Sequence, residues 1–204
     1  MAEVAPLKLD AVNEILLAGG QERVAAVDTG GVSYAGKAER ELDIALRDVC
    51  IEGTDDNTIP YVAIAPAGAG NTVTLPSGTL AAVGVGPTEH RRFAVRGDTL
   101  FDRDRNTTSF AGESSVAVRV KLLLAWADCS VTLKSLAIAQ ATERFIRRFD
   151  GNPIRDQLAQ LERVRAQSTV GRPLVPPFPQ QQWSGPVTLS TIGGGQQGQQ
   201  GQQQ

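Results

Sequence analysis

The sequence predicts an α+β fold: an antiparallel helical bundle of about four helices with a β-rich insertion and an extended C-terminal arm. Period-four apolar stripes mark helices near both ends of the first 167 residues, and alternation marks strands between them. Beyond Gln167, proline replaces periodicity.

Leu9, Val12, Ile15 and Leu16 form one face of a first helix. Asp10 lies in its first turn, where the helix dipole favours an acid, and Gly19-Gly20 stops it. A glycine-rich loop through Thr29-Gly30-Gly31 leads to Ser33, an N-cap candidate, and Tyr34, Ala38, Leu42, Ala45 and Val49 mark a second helix ending near Gly53. Residues 54–125 then read as strands: Tyr61 to Ala65, Thr72 to Leu75, Leu80 to Val85, Phe93 to Arg96, Thr99 to Asp102 and Val116 to Ala125. In the last of these, Val116, Val118, Val120, Leu122 and Leu124 alternate with Ala117, Arg119, Lys121 and Leu123, the pattern of a strand with one buried face. Gly97-Asp98 is a two-residue hairpin turn, since glycine readily takes the positive φ such turns need. Arg103 to Ser115 is expected to be a polar, exposed loop.

From about Ser130 the period changes, and Leu133, Ala137, Ala141, Phe145 and Phe149 recur every fourth residue with Leu136 and Ile138 alongside. Asp150-Gly151 ends this helix, and Asn152-Pro153 opens the next with an N-cap side chain and a proline where no amide hydrogen is needed. Ile154, Leu158, Leu161 and Val164 or Arg165 give that last helix one apolar face, and so short a link makes the two helices antiparallel neighbours. The chain thus divides into residues 1–53, the N-terminal helical part of the frame; 54–125, the β-rich insertion; and 126–167, a helical hairpin. Residues 168–192 follow as a Pro-rich arm and 193–204 as a flexible Gly/Gln tail.

A chain of 204 residues, 41% hydrophobic and 21% charged, can bury one sizeable core. No apolar run approaches the ~20 residues of a membrane span. Met1-Ala2-Glu3-Val4 lacks the basic start and apolar stretch of a secretory signal, so synthesis in a cytoplasm is the expectation. Cys50 and Cys129 are too few for a disulfide framework or a cysteine-based zinc site and read as buried small residues. His90 is the single histidine and reads as solvated, so neither metal nor cofactor is expected.

Charge is uneven along the chain. Residues 1–60 hold 12 Asp/Glu against 5 Lys/Arg, a balance of −7, while residues 61–204 hold 10 against 15, a balance of +5. Either the molecule has two unlike solvated surfaces, or neighbouring copies meet head to tail through complementary flanks. The second alternative predicts assembly that weakens with salt. Arginine outnumbers lysine 16 to 4, and its planar fork suits interface ion pairs.

Short matches to functional motifs have simpler readings. Arg96-Gly97-Asp98 spells an adhesion tripeptide, but the hairpin accounts for its glycine. The glycine-rich run Ala67 to Thr72 lacks the Gly-Lys-Ser/Thr ending of a phosphate cradle and reads as a flexible loop. Asn106-Thr107-Thr108 fits a glycosylation acceptor that has meaning only with secretion. Asp55 with Asp56, or Asp102 with Asp104, would be the carboxylates of a glycan-active enzyme, but each pair sits in a polar turn and reads as solvated. Arg91, Arg92, Arg96, Arg103 and Arg105 suggest a nucleic-acid patch until Asp98, Asp102 and Asp104 are counted among them.

In the arm, Pro176, Pro177, Pro179 and Pro186 exclude helix, and Leu174, Val175, Phe178 and Trp183 are spaced as anchors for a groove on a partner. The alternative is an arm folded back on its own subunit.

The helix opening Leu9-Asp10-Ala11-Val12-Asn13-Glu14-Ile15-Leu16, the helix around Ala38-Glu39-Arg40-Glu41-Leu42, the Leu75-Pro76 to Leu80 element, the hairpin Arg96 to Arg103, and the helix end Ala141 to Gly151 together resemble the tail tubular protein A family, the head-to-tail adaptors of short-tailed bacteriophages. The resemblance runs in order from residue 9 to about 167. It departs at Ile51-Glu52-Gly53, where the family often has an aromatic, and in the glutamine-rich ending.

The resemblance implies a non-enzymatic virion protein of the phage neck. It implies a ring, a dodecamer of about twelve copies, between the portal and the tail nozzle (tail tubular protein B), with DNA passing through its centre without specific binding. Tail fibres are a further candidate partner. In this reading Leu174, Val175, Phe178 and Trp183 are candidate portal contacts, and Arg103, Arg144, Arg147 and Arg148 candidate inter-subunit or tail contacts. The rival readings are a non-ring binding module or tail accessory, and a glycan-active enzyme.

Overall fold

A computed structural model describes residues 7–27 and 32–170. Four α-helices frame it among the described residues: α1 (Lys8–Ala18), α2 (Tyr34–Glu52), α3 (Val131–Phe145) and α4 (Pro153–Thr169). Five strands lie between α2 and α3 in the chain: β1 (Thr58–Ile64), β2 (Thr79–Gly84), β3 (Phe93–Arg96), β4 (Thr99–Asp102) and β5 (Val116–Leu122). The α+β reading holds.

The helix ends follow from local chemistry. The Ser33 hydroxyl accepts from the Gly36 amide and the Ser130 hydroxyl from the Leu133 amide, both at 3.1 Å. Asn152 Oδ1 accepts from the amides of Ile154 and Arg155, and Pro153 occupies the first helical position. Between α3 and α4, Ile146–Asp150 forms a π-helical turn closed by Gly151 in the left-handed region at φ +67°.

Helix α3 is the axis of the frame, packed by α2, α1 and α4. Its buried Leu133, Ala137, Ala141 and Phe145 meet Val12, Ile15 and Leu16 of α1 and Ala38, Leu42, Ala45 and Val49 of α2 in one continuous core. Phe145 ties three segments together. Its ring lies 6.3 Å from Tyr34 and 5.2 Å from Phe149 between centroids, and it comes so close to Gly19 that a Cβ there would sit 2.6 Å from the ring.

A second core fills the β-rich part. β5 is the middle strand of an antiparallel sheet in the order β1-β5-β2, and β3 and β4 form the hairpin turning at Gly97, φ +59°. Val116, Val118 and Val120 of β5 pack with Val73, Leu75, Leu100 and Phe110. The edge strand β1 is interrupted at Pro60 by an irregularity between Ile59 and Val62, a feature that discourages strand addition along that edge.

Asn57 locks the two parts together. Fully buried, it donates to the carbonyls of Cys50 at the end of α2 and Leu122 at the end of β5, at 2.7 and 2.8 Å, while its Oδ1 accepts from Thr54. Lys121 adds bonds to the carbonyls of Ile51 and Glu52.

Four local expectations need correction. Thr72 to Leu75 is not a strand: Thr72 and Thr74 make isolated bridges to Ala67, Ser109 and Thr99. The run Ala67 to Thr72 is a closed turn, held by reciprocal backbone bonds of 2.8 and 3.0 Å with Asn71 at φ +49°. The segment Arg103 to Ser115 is not wholly exposed, because Phe110 enters the β core and is 1% exposed. β5 stops at Leu122, and Leu123 to Ala125 lead into a short 3-10 turn at Trp126–Asp128.

Cys50 and Cys129 are free thiols within the helical core. Burial, then the neighbouring Cys50 thiol, pushes Cys129 up to about 11, so it stays protonated and unreactive near neutral pH. Among the described residues no helix is long and apolar enough to cross a membrane.

Candidate assembly surfaces

The apolar face of α4 points away from the subunit. Ala159, with half-buried Arg155, Arg163 and Ala166, turns toward the rest of the frame. Ion pairs hold it there: Arg163 to Glu143 at 3.0 Å and Arg155 to Asp150 at 3.3 Å. At 100° per residue, Ile154, Leu158, Leu161 and Arg165 then fall on the opposite side. Ile154 is 68% exposed, Leu158 58%, Leu161 67% and Val164 60%. Helix α4 thus attaches by small residues and charge, and presents its large aliphatics to the outside.

The arginines named from the sequence fall into place unevenly. Arg144 pairs with Asp48 at 2.6 Å, Arg148 with Glu41 at 2.5 Å, and Arg147 with Glu143 at 2.7 Å and Asp156 at 3.3 Å. Two of these pairs join the acidic α2 to the basic end of α3. Part of the charge asymmetry along the chain therefore closes within one subunit. Arg103 is exposed and makes no ion pair among the described residues. Leu174, Val175, Phe178 and Trp183 lie outside the described residues, as do the Gly/Gln tail and the Thr29-Gly30-Gly31 loop.

The arginine-rich hairpin is likewise committed internally. Arg91 donates to Asp102 through Nε at 3.1 Å and to Glu113 through a terminal nitrogen at 2.7 Å, with Phe93 and Phe110 flanking its guanidinium at 5.2 and 5.4 Å. Arg105 pairs with Glu113, Arg92 pairs with Asp104, and Arg96 stacks on Phe101. Asp102 is not the solvated turn acid expected: it is fully buried. Burial pushes its carboxyl up, but hydrogen bonds from Arg91 and from the amides of Arg105 and Asp104 outweigh this and hold it below the ordinary carboxylate range. Asp56 accepts from the Ser130 hydroxyl and Asp104 from Arg92, so members of both acid pairs are engaged within the subunit.

A cleft of about 570 Å³ lies beside Leu16, Gly20, Val24 and Tyr34, and its described lining includes Glu22 and Ser33. His90 is exposed. Among the described residues no three His, Cys, Asp or Glu side chains gather as a metal site.

What remains is a scaffold with an outward aliphatic stripe. A family model described as tail tubular protein matches residues 9–173, from the second residue of α1 to beyond the end of α4. The chain belongs to the tail tubular protein family. As a member of this family it is a structural protein of the bacteriophage tail, and its place is in the virion. No curated protein matches the chain.

The outward stripe of α4 is the feature periodicity alone left unresolved. The four aliphatics were legible, and the signal for their direction was the Arg155, Ala159, Arg163 and Ala166 face behind them.

Proposed function

We propose that this chain is a head-to-tail adaptor: a ring of about twelve copies seated between the portal and the tail nozzle, with DNA passing through its centre. The observation that carries the reading is the family match over residues 9–173, since it covers the whole helical frame and the β-rich part together. The molecule's physical character supports it. Function by shape asks for a rigid frame and outward contact surfaces, and the α3-centred bundle and the α4 stripe answer that description.

Passage of DNA also asks for a wall that does not hold it, because each neutralised phosphate adds a salt-dependent increment of affinity. Arg91, Arg92, Arg96 and Arg105 are engaged within the subunit, which suits a protein that lets DNA slide past. In this reading Leu174, Val175, Phe178 and Trp183 clamp the portal, Arg103 is free for a neighbour or the tail, and no substrate is turned over. Tail fibres would attach at the periphery.

Two experiments test it. Co-sedimentation of the full chain with portal protein of the same virion should give a complex holding several copies of the chain per portal assembly, and separate sedimentation would contradict the adaptor reading. Deleting residues 172–204 should leave a folded subunit that attaches to the portal at least tenfold more weakly, in line with the weight aromatic anchors carry at interfaces. Unchanged capture in a pull-down would remove the arm from the mechanism.

A further inference from the structure

We propose that Cys50 and Cys129 are an oxidisable latch at the neck of the β-rich part, where an intrachain disulfide between them ties the end of α2 to the head of α3. The inference is independent of the ring reading above.

The chain leaves the helical frame at the end of α2 and returns to it at the start of α3, and all five strands lie between those two points. Cys50 is in the last turn of α2, and Cys129 directly precedes Ser130, the N-cap of α3. Both thiols are free and buried, at 0% and 5% exposure, and both belong to the helical core rather than the β core. They meet at one short stretch of the returning chain. The Cys50 sulfur accepts from the Leu124 amide, and the Cys129 thiol donates to the carbonyl of the next residue, Ala125, at 3.2 Å. Asn57 pins the same place by bonding the Cys50 and Leu122 carbonyls, so the outgoing and returning segments are held side by side. Electrostatics agree with this placement: after burial, the Cys50 thiol is the largest influence on Cys129.

Closure needs a two-electron oxidant, and a peroxide is small enough to reach a buried site. One thiolate attacks a peroxide oxygen, the O–O bond breaks, and a sulfenic acid and hydroxide form. The second sulfur then attacks the first, the S–O bond breaks, and the S–S bond forms as hydroxide leaves. With the protons given up by the thiols, two thiols and one hydrogen peroxide become one disulfide and two waters. Burial keeps both thiols protonated at neutral pH, so closure is slow there. A reducing cytoplasm leaves the latch open, and an oxidising exterior closes it. The closed latch spans a loop of about 80 residues, and a cross-link over so long a loop removes much of the unfolded chain's freedom.

The test treats the full chain with hydrogen peroxide under native conditions and follows it by peptide mass mapping and thermal unfolding. The expected product has lost two hydrogens, with the Cys50 and Cys129 peptides joined within one chain. It should melt roughly 10 °C higher than the parent and return to the parent value with dithiothreitol. Cys129→Ala should show no such rise, and if that variant does not fold, the mass map of the parent decides alone. Cys129 is pushed up to about 11, so the closure rate should climb about tenfold per pH unit between roughly pH 7 and pH 10. A rate that levels off near about 8.5, the value of a solvated thiol, would show that only opened chains react, and would overturn the latch. Disulfides between chains, oxidised sulfur with no joined peptides, or an unchanged melting temperature would overturn it as well.

Discussion

Arg91→Ala is expected to destabilise the protein by about 3–5 kcal/mol, because it strands the fully buried Asp102 carboxylate without its counter-ion. Packing is lost as well, since the Arg91 guanidinium fills the space between Phe93 and Phe110. Denaturant unfolding of the purified variant measures the loss, and a melting point lowered by about 10 °C is the corresponding thermal signature. The sign with pH is fixed. Asp102 has a depressed folded pKa, so the pair stabilises fully above the ordinary carboxylate value of about 4 and fades as pH falls through the lower folded value. The gap between parent and variant should therefore narrow below about pH 4. A gap that widened on acidification would contradict the assignment.

Phe145→Ala is expected to cost about 3–5 kcal/mol, the range for deleting a buried aromatic whose surroundings cannot collapse. Phe145 is 1% exposed and sits against Gly19, Tyr34 and Phe149 at the junction of α1, α2 and the α3–α4 turn. Phe149→Ala is the control. At 36% exposure, it should cost about 1 kcal/mol. Equal losses at the two positions would show that the α3 core has been misassigned.

Local signals carried most of the fold. Ser33 and Asn152-Pro153 cap helices where the sequence places caps, Ser130 caps α3 at the point where the period changes, and Gly97 and Gly151 take the positive φ their turns require. These features depend on a few adjacent residues, so a sequence displays them directly. What was hidden depends on distant partners. Phe110 is a lone aromatic in a polar stretch, and no period announces that it fills the β core. Asp102 looks like any turn acid until Arg91 and Glu113 are seen around it. Arg144 and Arg148 look available for neighbours, yet their partners Asp48 and Glu41 lie 96 and 107 residues away in the chain.

The α4 stripe shows a different limit. Ile154, Leu158 and Leu161 define an apolar face by spacing alone, but spacing does not say whether the chain's own core or another molecule covers it. The answer came from the face behind it, where Ala159 and the paired Arg155 and Arg163 occupy the contact with the frame. For the arm, the anchors Leu174, Val175, Phe178 and Trp183 remain expectations of sequence, carried into the proposal by their chemistry.

Electron microscopy of the full chain assembled with the portal and nozzle proteins tests the central claim most directly. The predicted image shows this subunit repeated around an axis with an open channel. A subunit occurring singly with no central opening, or one enclosing an ordered ligand among its acidic side chains, would contradict the account.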